Sequence, residues 1–500
     1  MGWAASITLA VTSAIIYIWI VQFLYNGLTS SLRRVPGPWY TKFTRLPLKL
    51  TIITGERVNY VHQLHLKYGP VVRISPDEVA VSSYAEVREI HRAGSPFLKG
   101  DWYEKVSNPI SIGVLAEKDP KKHAQKRKMF ARSFTKMELR RNWEFVVKEK
   151  AKLAVQRIRQ DLESSNGVAD MYKWWYLFST DTVAHLMFGE SFEMLQFGKK
   201  NKYIEFLQSS ITGLAINVEL PIFGMIAPYI PLSAFQTMFR ANDYILEYGH
   251  KAVENAKRVG NSTAIFTEMI NESKKQHSKV TDADVSIESG NLIVAGSDST
   301  AITLTYLIWA ILSRPTLQKQ IEDEVAQLTD GYDDITVEYL PLLNAVMMES
   351  LRLYSSTQGG LPRVVPKSGA TFRGFFIPGG TTVSTQSYTI HRDPSLFVDP
   401  LVFDHTRWMH ARFGEKENPR AVTMEGRLIF APFGMGPRIC IGMYLAWMEL
   451  RMATVEFFRQ CRGARLAPST TPESMQPLNF FINVPKAGKC EITMERQPLF

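Results

Sequence analysis

The spacing of hydrophobic and polar positions changes along the chain and predicts a mainly α fold with a minor β-sheet. Helical periodicity dominates from about residue 120 to about residue 355. Short β-branched runs at Val71–Ile74 and Val79–Val81 predict strands, and similar runs alternate with glycine and proline from about 360 to 390. The tail from Asn479 to Met494 predicts a closing hairpin.

The first apolar stretch predicts a membrane anchor. No charged residue occurs between Trp3 and Tyr25, and about 20 apolar residues can span a bilayer. No Lys or Arg precedes this stretch, whereas Arg33 and Arg34 follow it, which places the rest of the chain in the cytosol. A cleaved signal peptide is the alternative, but its basic first region is missing. We therefore expect an anchor with its basic flank at 1–32 and one domain at 33–500.

A second long apolar pattern, from about Val285 to Ser313, predicts a buried helix. Asp298 is the one charged side chain between Glu288 and Arg314. Glycine weakens a helix and an unpaired buried aspartate weakens it more, so Gly296 beside Asp298 predicts a kinked, water-accessible point. The alternative is a second membrane span that carries an incidental acid.

Composition and charge narrow the class of protein. The 58 basic and 48 acidic residues leave a net charge of +10, which favours a membrane surface, a nucleic acid or an acidic protein as partner. Nucleic acid is disfavoured, because no basic run contains interleaved aromatics and no zinc spacing occurs. Three cysteines exclude a disulfide scaffold and fit a reducing compartment. No phosphate-binding or dinucleotide-binding glycine pattern is present.

The ten residues FGMGPRICIG, which begin at Phe433, carry the strongest chemical signal. A lone Cys440 stands in a predicted tight turn before a helical pattern, where the helix N-terminus would stabilise a thiolate. Gly436 and Gly442 would let a flat ligand approach the backbone, and Arg438 could pair with a carboxylate. Haem has both an iron that takes an axial thiolate and propionates that take cations. A buried structural cysteine is the alternative.

This stretch resembles the cysteine-ligand loop of cytochromes P450, F-x-x-G-x-R-x-C-x-G, at every defining position. The resemblance covers about residues 33 to 500. It implies the cytochrome P450 fold preceded by an N-terminal transmembrane helix. It also implies heme b as cofactor, with Cys440 as the axial ligand of the iron and Phe433, Gly436, Arg438 and Gly442 around it.

The centre of the apolar helix, Ala295–Thr300, resembles the oxygen-activation motif of the same family, (A/G)-G-x-(D/E)-T-(T/S). The resemblance implies that Gly296 leaves room for dioxygen beside the haem. Asp298 and a neighbouring hydroxyl would relay protons. Ser299 stands where the family usually has threonine, and Thr300 could share the role.

Two further resemblances concern charged residues. Glu349 and Arg352 share a helix face, and the family pattern downstream supplies Arg407 to complete a buried structural cluster. His123 and Arg127 fit the family's positions for contacts with a haem propionate. Arg363 fits another such position. The alternative for each of these three residues is an ordinary surface charge.

The resemblance implies a membrane-anchored monooxygenase of the microsomal, filamentous-fungal type. It would oxidise a lipophilic small molecule in secondary metabolism, such as a terpenoid, polyketide or alkaloid. The expected location is the endoplasmic reticulum membrane, with a single pass and a cytosolic catalytic domain. A haem-thiolate isomerase or dehydratase and a non-catalytic haem-binding protein are the alternatives, and Asp298 argues against the first.

No flavin or nicotinamide fold signature is present, so electrons must come from a partner. The resemblance implies NADPH–cytochrome P450 reductase, with cytochrome b5 as a second candidate donor. The basic stretch from Lys121 to Lys128 is a candidate docking face for an acidic partner, and an ordinary solvated helix face is the alternative.

Overall fold

The computed structural model describes most of the chain. The described residues are 3, 14, 17–18, 20–25, 27–105, 112–164, 167–206, 208, 218–220, 225–226, 229–232, 265, 267, 269, 271, 282–409 and 418–494. They divide into two compact units: Met1–Gly100 with Gly359–Ile390, and Asp101–Gln358 with His391–Phe500. The predicted class, mainly helical with small sheets, is confirmed.

The α-helices in the described residues are numbered in chain order. They are α1 (Leu46–Ile53), α2 (Arg57–Tyr68), α3 (Tyr84–His91), α4 (Trp102–Lys105), α5 (Pro120–Ala131), α6 (Lys136–Ser164), α7 (Met171–Phe188), α8 (Met194–Phe197), α9 (Asp282–Leu312), α10 (Pro315–Ala326), α11 (Asp334–Glu338), α12 (Pro341–Tyr354), α13 (Ser387–Ile390), α14 (Met424–Ile429) and α15 (Met443–Gln460). Short 3₁₀ helices occur at Trp39–Lys42, His405–Trp408 and Gly436–Arg438.

The strands are short and form several small sheets. They are β1 (Val71–Ser75), β2 (Glu78–Val81), β3 (Leu98–Lys99), β4 (Val168–Asp170), β5 (Arg363–Val364), β6 (Ala370–Phe372), β7 (Phe375–Ile377), β8 (Thr382–Ser384), β9 (Arg465–Leu466), β10 (Pro477–Asn479), β11 (Asn483–Pro485) and β12 (Glu491–Thr493).

The first unit is built on a five-stranded sheet in the order β1-β2-β8-β5-β3. Strand β2 pairs antiparallel with β1 and parallel with β8, so it is hydrogen-bonded on both edges. All residues of β2 are buried, as is typical of a strand in the interior of a sheet. The predicted strands at 71–74 and 79–81 are therefore confirmed.

The second unit is helical, and α9 packs against α7, α12 and α15. The serine and threonine hydroxyls of α9 can be buried because they donate to the backbone carbonyl one turn earlier in the helix. Ser297 donates to the Ile293 carbonyl at 2.6 Å, and Thr305 donates to the Ala301 carbonyl at 2.7 Å. The predicted helix at about 285–313 is confirmed as part of α9.

The tail differs from its prediction. The residues from Asn479 to Met494 were expected to close as one hairpin. Instead, β10 pairs with β11, while β12 joins β4 and β9 in a separate antiparallel sheet. The expectation of a single hairpin was wrong because the fully buried Ile492 pairs with Ala169 on β4 and Leu466 on β9, both distant in the sequence.

The predicted N-terminal anchor lies largely outside the described residues. Those that are described between 3 and 29 are helical, and apolar side chains among them, such as Trp3, Tyr17 and Leu28, are exposed. Within the described part of the chain, one helix is long and apolar enough to cross a membrane, Asp284–Leu312. Of its most apolar stretch, 61% is buried inside the protein, which fits a core helix better than a second membrane span.

Candidate active site

The cysteine loop is a tight turn that ends where α15 begins. Gly434 and Gly436 have φ values of +78° and +61°, a region that favours glycine. The Cys440 N–H donates to the Phe433 carbonyl at 2.8 Å and closes the loop. Gly442 occupies the N-cap position of α15. The Cys440 side chain is left exposed, as a ligand of an incoming group has to be.

The surroundings of Cys440 do not by themselves stabilise a thiolate. Desolvation raises the pKa of its thiol, although the Gly442 N–H and the Arg127 charge act to lower it. Cys440 is thus exposed as a residue, while the protein around its sulfur still desolvates the thiol. The expected stabilisation by the helix N-terminus is present but smaller than the desolvation cost. A bound metal ion would supply the missing positive charge.

Cationic side chains approach the loop from α5. Arg127 donates from Nη1 to the Ile439 carbonyl at 2.7 Å, next to the cysteine. His123 lies one turn earlier on the same helix and is buried. Asp119 caps the helix by accepting from two backbone N–H groups, which fixes where α5 begins and hence where both side chains stand.

The two remaining predicted propionate partners lie in different units. Arg438 donates to the Glu117 carbonyl at 2.7 Å and to the Lys118 carbonyl at 3.2 Å, within the second unit. Arg363 is buried on β5 in the first unit. Burial, followed by the charge of Arg363, lowers the pKa of His91 to about 3, so this histidine is neutral.

Gly296 permits close packing of two helices. A Cβ atom on Gly296 would lie 2.8 Å from Cγ2 of Val183 on α7, a distance that real Cβ contacts do not reach. The glycine is therefore needed on the side that faces α7. Its predicted role, leaving room for dioxygen beside the haem, stays a prediction.

Asp298 is a half-buried acid on the second unit's long helix α9. Burial raises its pKa to about 6, and the charge of Lys200 limits the rise. Burial, followed by the Asp298 charge, raises the phenol pKa of Tyr172 and Tyr176 on α7. The Lys200 ammonium lies 4.3 Å from the Tyr176 ring centroid. Sequence analysis missed Lys200 and the tyrosines, although Tyr172 and Tyr176 share a helix face at i, i+4 spacing.

The two hydroxyl residues after Asp298 point to different surroundings. Ser299 is partly exposed and donates to the Ala295 carbonyl at 2.6 Å. Thr300 is buried and donates to Oε2 of Glu449 on α15 at 3.2 Å. Complete burial raises the pKa of Glu449 well above its usual range. Sequence analysis missed Glu449, because only the packing of α9 on α15 brings it to Thr300.

The predicted ion cluster forms inside the second unit. Glu349 accepts from Arg352 Nε at 2.9 Å and Nη2 at 2.7 Å, and from Arg407 Nε at 3.3 Å. It also accepts from the Trp408 indole at 2.9 Å and the Asp404 N–H at 2.8 Å. The side chains of Glu349, Arg352 and Arg407 are fully buried. The cluster joins α12 to the 3₁₀ helix at 405–408.

These features fit a haem better than a metal ion held by several side chains. Among the residues that the structure describes, no group of three or more His, Cys, Asp or Glu side chains could hold a metal ion. A haem iron needs one axial thiolate from the chain and cations for its propionates. Cys440 is exposed, Arg127 donates to its loop, and Arg438 belongs to that loop.

Comparison with known proteins identifies the family. The cytochrome P450 family model matches residues 36–491. The chain belongs to the cytochrome P450 family. Cytochrome P450 monooxygenase cypX of Dothistroma septosporum is 37% identical over 495 residues, covering 97% of this chain and 95% of that protein. Cytochrome P450 monooxygenase stcB of Emericella nidulans is 39% identical over 482 residues, covering 95% of this chain and 91% of that protein.

A more distant relative has a chemical name. Methylphloroacetophenone oxidase of Cladonia uncialis is 32% identical over 394 residues, covering 76% of this chain and 86% of that protein. Cytochromes P450 are oxidoreductases that bind haem iron through a cysteine thiolate. The prediction of a haem-thiolate P450 monooxygenase that acts on small molecules is thereby confirmed.

Proposed function

We propose that Cys440 is the axial ligand of the haem iron and that the chain oxidises a lipophilic small molecule in fungal secondary metabolism. The observation that carries this proposal is the exposed Cys440 at the start of α15, whose sulfur is close to the Gly442 N–H and the Arg127 charge. Arg438, Arg127 and His123, all in the second unit, are the proposed propionate partners, and the role expected for Arg363 stays a prediction. The haem supplies the oxidising chemistry with dioxygen.

Asp298 and Ser299 are the proposed carriers of protons to the reacting side. A carboxyl with a pKa of about 6 can both accept and release a proton near neutral pH. Ser299 has the accessible hydroxyl, whereas the Thr300 hydroxyl donates to the buried Glu449. We therefore assign the alcohol role to Ser299 and a packing role to Thr300.

Replacing each hydroxyl separately tests that assignment. We expect Ser299→Ala to lower product formed per NADPH consumed by about 100-fold, because a positioned proton donor is lost. Thr300→Val keeps the shape of the side chain but removes its bond to Glu449, so we expect lower thermal stability with the coupling unchanged. Ser299→Thr should retain the coupling. The assignment fails if Thr300→Val uncouples the enzyme and Ser299→Ala does not.

The proposed substrate is apolar, and aromatic compounds are included. The β10–β11 hairpin exposes Phe480 and Phe481 at its tip, and Phe481 adopts the unusual φ of +88°. The Phe481 ring centroid lies 5.6 Å from that of Trp102. Exposed aromatic side chains held in a defined geometry are typical of small-molecule sites. The name of the Cladonia uncialis relative supports phenolic aromatic compounds as candidates.

The proposed setting is the cytosolic face of the endoplasmic reticulum membrane, with electrons from NADPH–cytochrome P450 reductase or cytochrome b5. Exposed apolar side chains such as those of Tyr17, Ile18 and Leu28 support the anchor. Exposed Lys121, Lys122 and Lys128 on α5 support docking of an acidic partner. Microsomes that carry the full chain test both points. The chain should stay with the membrane after an alkaline carbonate wash, and turnover should require added reductase.

Untargeted mass spectrometry of the source organism with and without this gene tests the function. We expect a metabolite to disappear and a compound lacking one oxygen atom to accumulate. A precursor that differs by hydrogens alone would indicate desaturation or coupling. An isomer would favour the isomerase alternative and contradict the proposal.

A further inference from the structure

The segment that joins α4 to α5 is attached directly to α9. We call its described residues, 112–118, the connecting segment. The Val114 N–H donates to both carboxylate oxygens of Glu288 on α9, at 3.2 and 3.1 Å. Glu288 is buried, as is Gly113 beside it. One buried carboxylate therefore holds this stretch of backbone on the helix that carries Asp298.

Gly113 shows how close this attachment is. A Cβ atom at this position would lie 2.6 Å from Oε2 of Glu288 and 2.5 Å from Nδ2 of Asn291. Neither distance is possible for a real side chain, and both neighbours are side-chain atoms on α9. A side chain at position 113 would therefore displace the ends of the Glu288 and Asn291 side chains.

The other end of the connecting segment is attached to the cysteine loop and to α5. Arg438, two residues before Cys440, donates to the carbonyls of Glu117 and Lys118. Lys126 on α5 donates to the Ile112 carbonyl and pairs with Glu117 at 3.0 Å. The segment thus joins the loop of the proposed haem ligand to the helix of the proposed proton carrier.

We propose that Glu288 is a positioning residue whose charged carboxylate seats the connecting segment against α9, and that loss of this charge loosens the segment. The inference rests on the proposed haem function and adds control over how fast a small ligand reaches the haem. Because the connecting segment is attached to both α9 and the cysteine loop, its loosening changes the protein around the proposed haem site.

The charge on Glu288 can change near neutral pH. Burial raises its pKa to about 7. The Val114 N–H, the Asn291 side chain and the charge of Lys126 act to lower it, while the charge of Asp284 raises it further. Above this pH the carboxylate accepts the Val114 bond with a full charge, and charge-assisted hydrogen bonds are the stronger kind. Below it, the neutral acid accepts more weakly, so the segment should be held less firmly.

The chain offers a matched control on α10. Glu324 likewise accepts from the backbone, from the Leu342 and Leu343 N–H groups at 2.9 and 2.8 Å, whereas the backbone N–H from which Glu288 accepts is that of Val114. Burial raises its pKa as well. It differs from Glu288 in holding the start of α12 instead of the connecting segment. Glu324→Gln therefore removes a carboxylate of the same kind from a different place.

Amide hydrogen exchange of the full-length haem protein measures the proposal directly. After correction for intrinsic rates, we expect exchange in the connecting segment to be about fivefold faster at about pH 6 than at about pH 8. Glu288→Gln should exchange at the fast rate at both pH values. Glu324→Gln should keep the wild-type dependence. Gly113→Ala, which displaces the Glu288 carboxylate without changing its charge, should also be fast throughout.

Carbon monoxide binding to the reduced protein supplies the functional readout, because this ligand does not titrate. We expect its association rate to increase as the pH falls through about 7 in the wild type, and this step near pH 7 to be missing in Glu288→Gln, whereas a step near pH 6 from Asp298 would occur in both. Equal pH dependence of exchange in the wild type and Glu288→Gln would overturn the inference. Failure to form a thiolate-type carbon monoxide complex would instead overturn the proposed haem function, while exchange still decides the role of Glu288.

Discussion

Replacing Cys440 with serine will abolish monooxygenase activity, with a loss greater than about 1000-fold, or more than about 4 kcal/mol in the activation barrier. The proposed ligand is one sulfur, and a serine hydroxyl neither ionises near neutral pH nor donates electron density to iron as a thiolate does. The reduced variant should also lose the red-shifted carbon monoxide band that thiolate ligation produces. Absorbance spectra and product formation measure both effects.

The other two cysteines provide matched controls for this substitution. Cys461 and Cys490 are fully buried, and burial raises the thiol pKa of Cys461 to about 12. Cys461→Ser should keep the carbon monoxide band, with some loss of stability from a buried hydroxyl. Because Cys440 is exposed, its substitution should leave the helical circular dichroism intact. A Cys440→Ser protein that keeps the thiolate spectrum would show that the ligand is elsewhere.

Replacing Glu349 with alanine will cost about 3–5 kcal/mol in the free energy of unfolding. The substitution removes the acceptor shared by Arg352 and Arg407, whose side chains are fully buried. It also removes the acceptor of the Trp408 indole and of the Asp404 N–H. Two buried guanidinium groups then lack their counter-ion, and the remaining carbonyl acceptors cannot neutralise them. Denaturant unfolding followed by circular dichroism measures the loss.

An exposed pair with the same spacing provides the control. Glu89 and Arg92 form an i, i+3 pair at 2.7 Å, as Glu349 and Arg352 do, but each side chain is nearly half exposed. Glu89→Ala should change the free energy of unfolding by less than about 1 kcal/mol. If the two alanine variants lose similar amounts, the buried cluster does not stabilise the fold as its geometry indicates.

Local sequence was sufficient wherever the determining contacts are local. The turn of the cysteine loop depends on Gly434 and Gly436, and the positive φ of Gly436 appears where the motif places glycine. The long apolar helix was evident because few charged residues interrupt it, and β1 and β2 were evident from β-branched runs bounded by turns. These patterns also carried the resemblance to cytochromes P450, which the family match confirms.

Other assignments needed partners that are distant in the sequence. Nothing in the order of residues distinguishes Ser299 from Thr300 as the accessible hydroxyl, because adjacent residues of a helix point in different directions and packing decides which is buried. The α9–α15 contact directs Thr300 to Glu449 and leaves Ser299 accessible. Likewise, Gly296 lies two residues before the motif acid Asp298, but the structure places Val183 of α7 where a side chain on Gly296 would be.

The sequence alone thus determined the family, the class of fold, the type of cofactor and the identity of the candidate ligand Cys440, since each depends on residues within a few positions of one another. Tertiary structure alone decided how the tail strands pair and what surrounds Asp298. It also decided that Glu288 holds the Val114 N–H. The physical reason is that burial and charge at a side chain depend on the elements packed against it, and a linear pattern does not specify those elements.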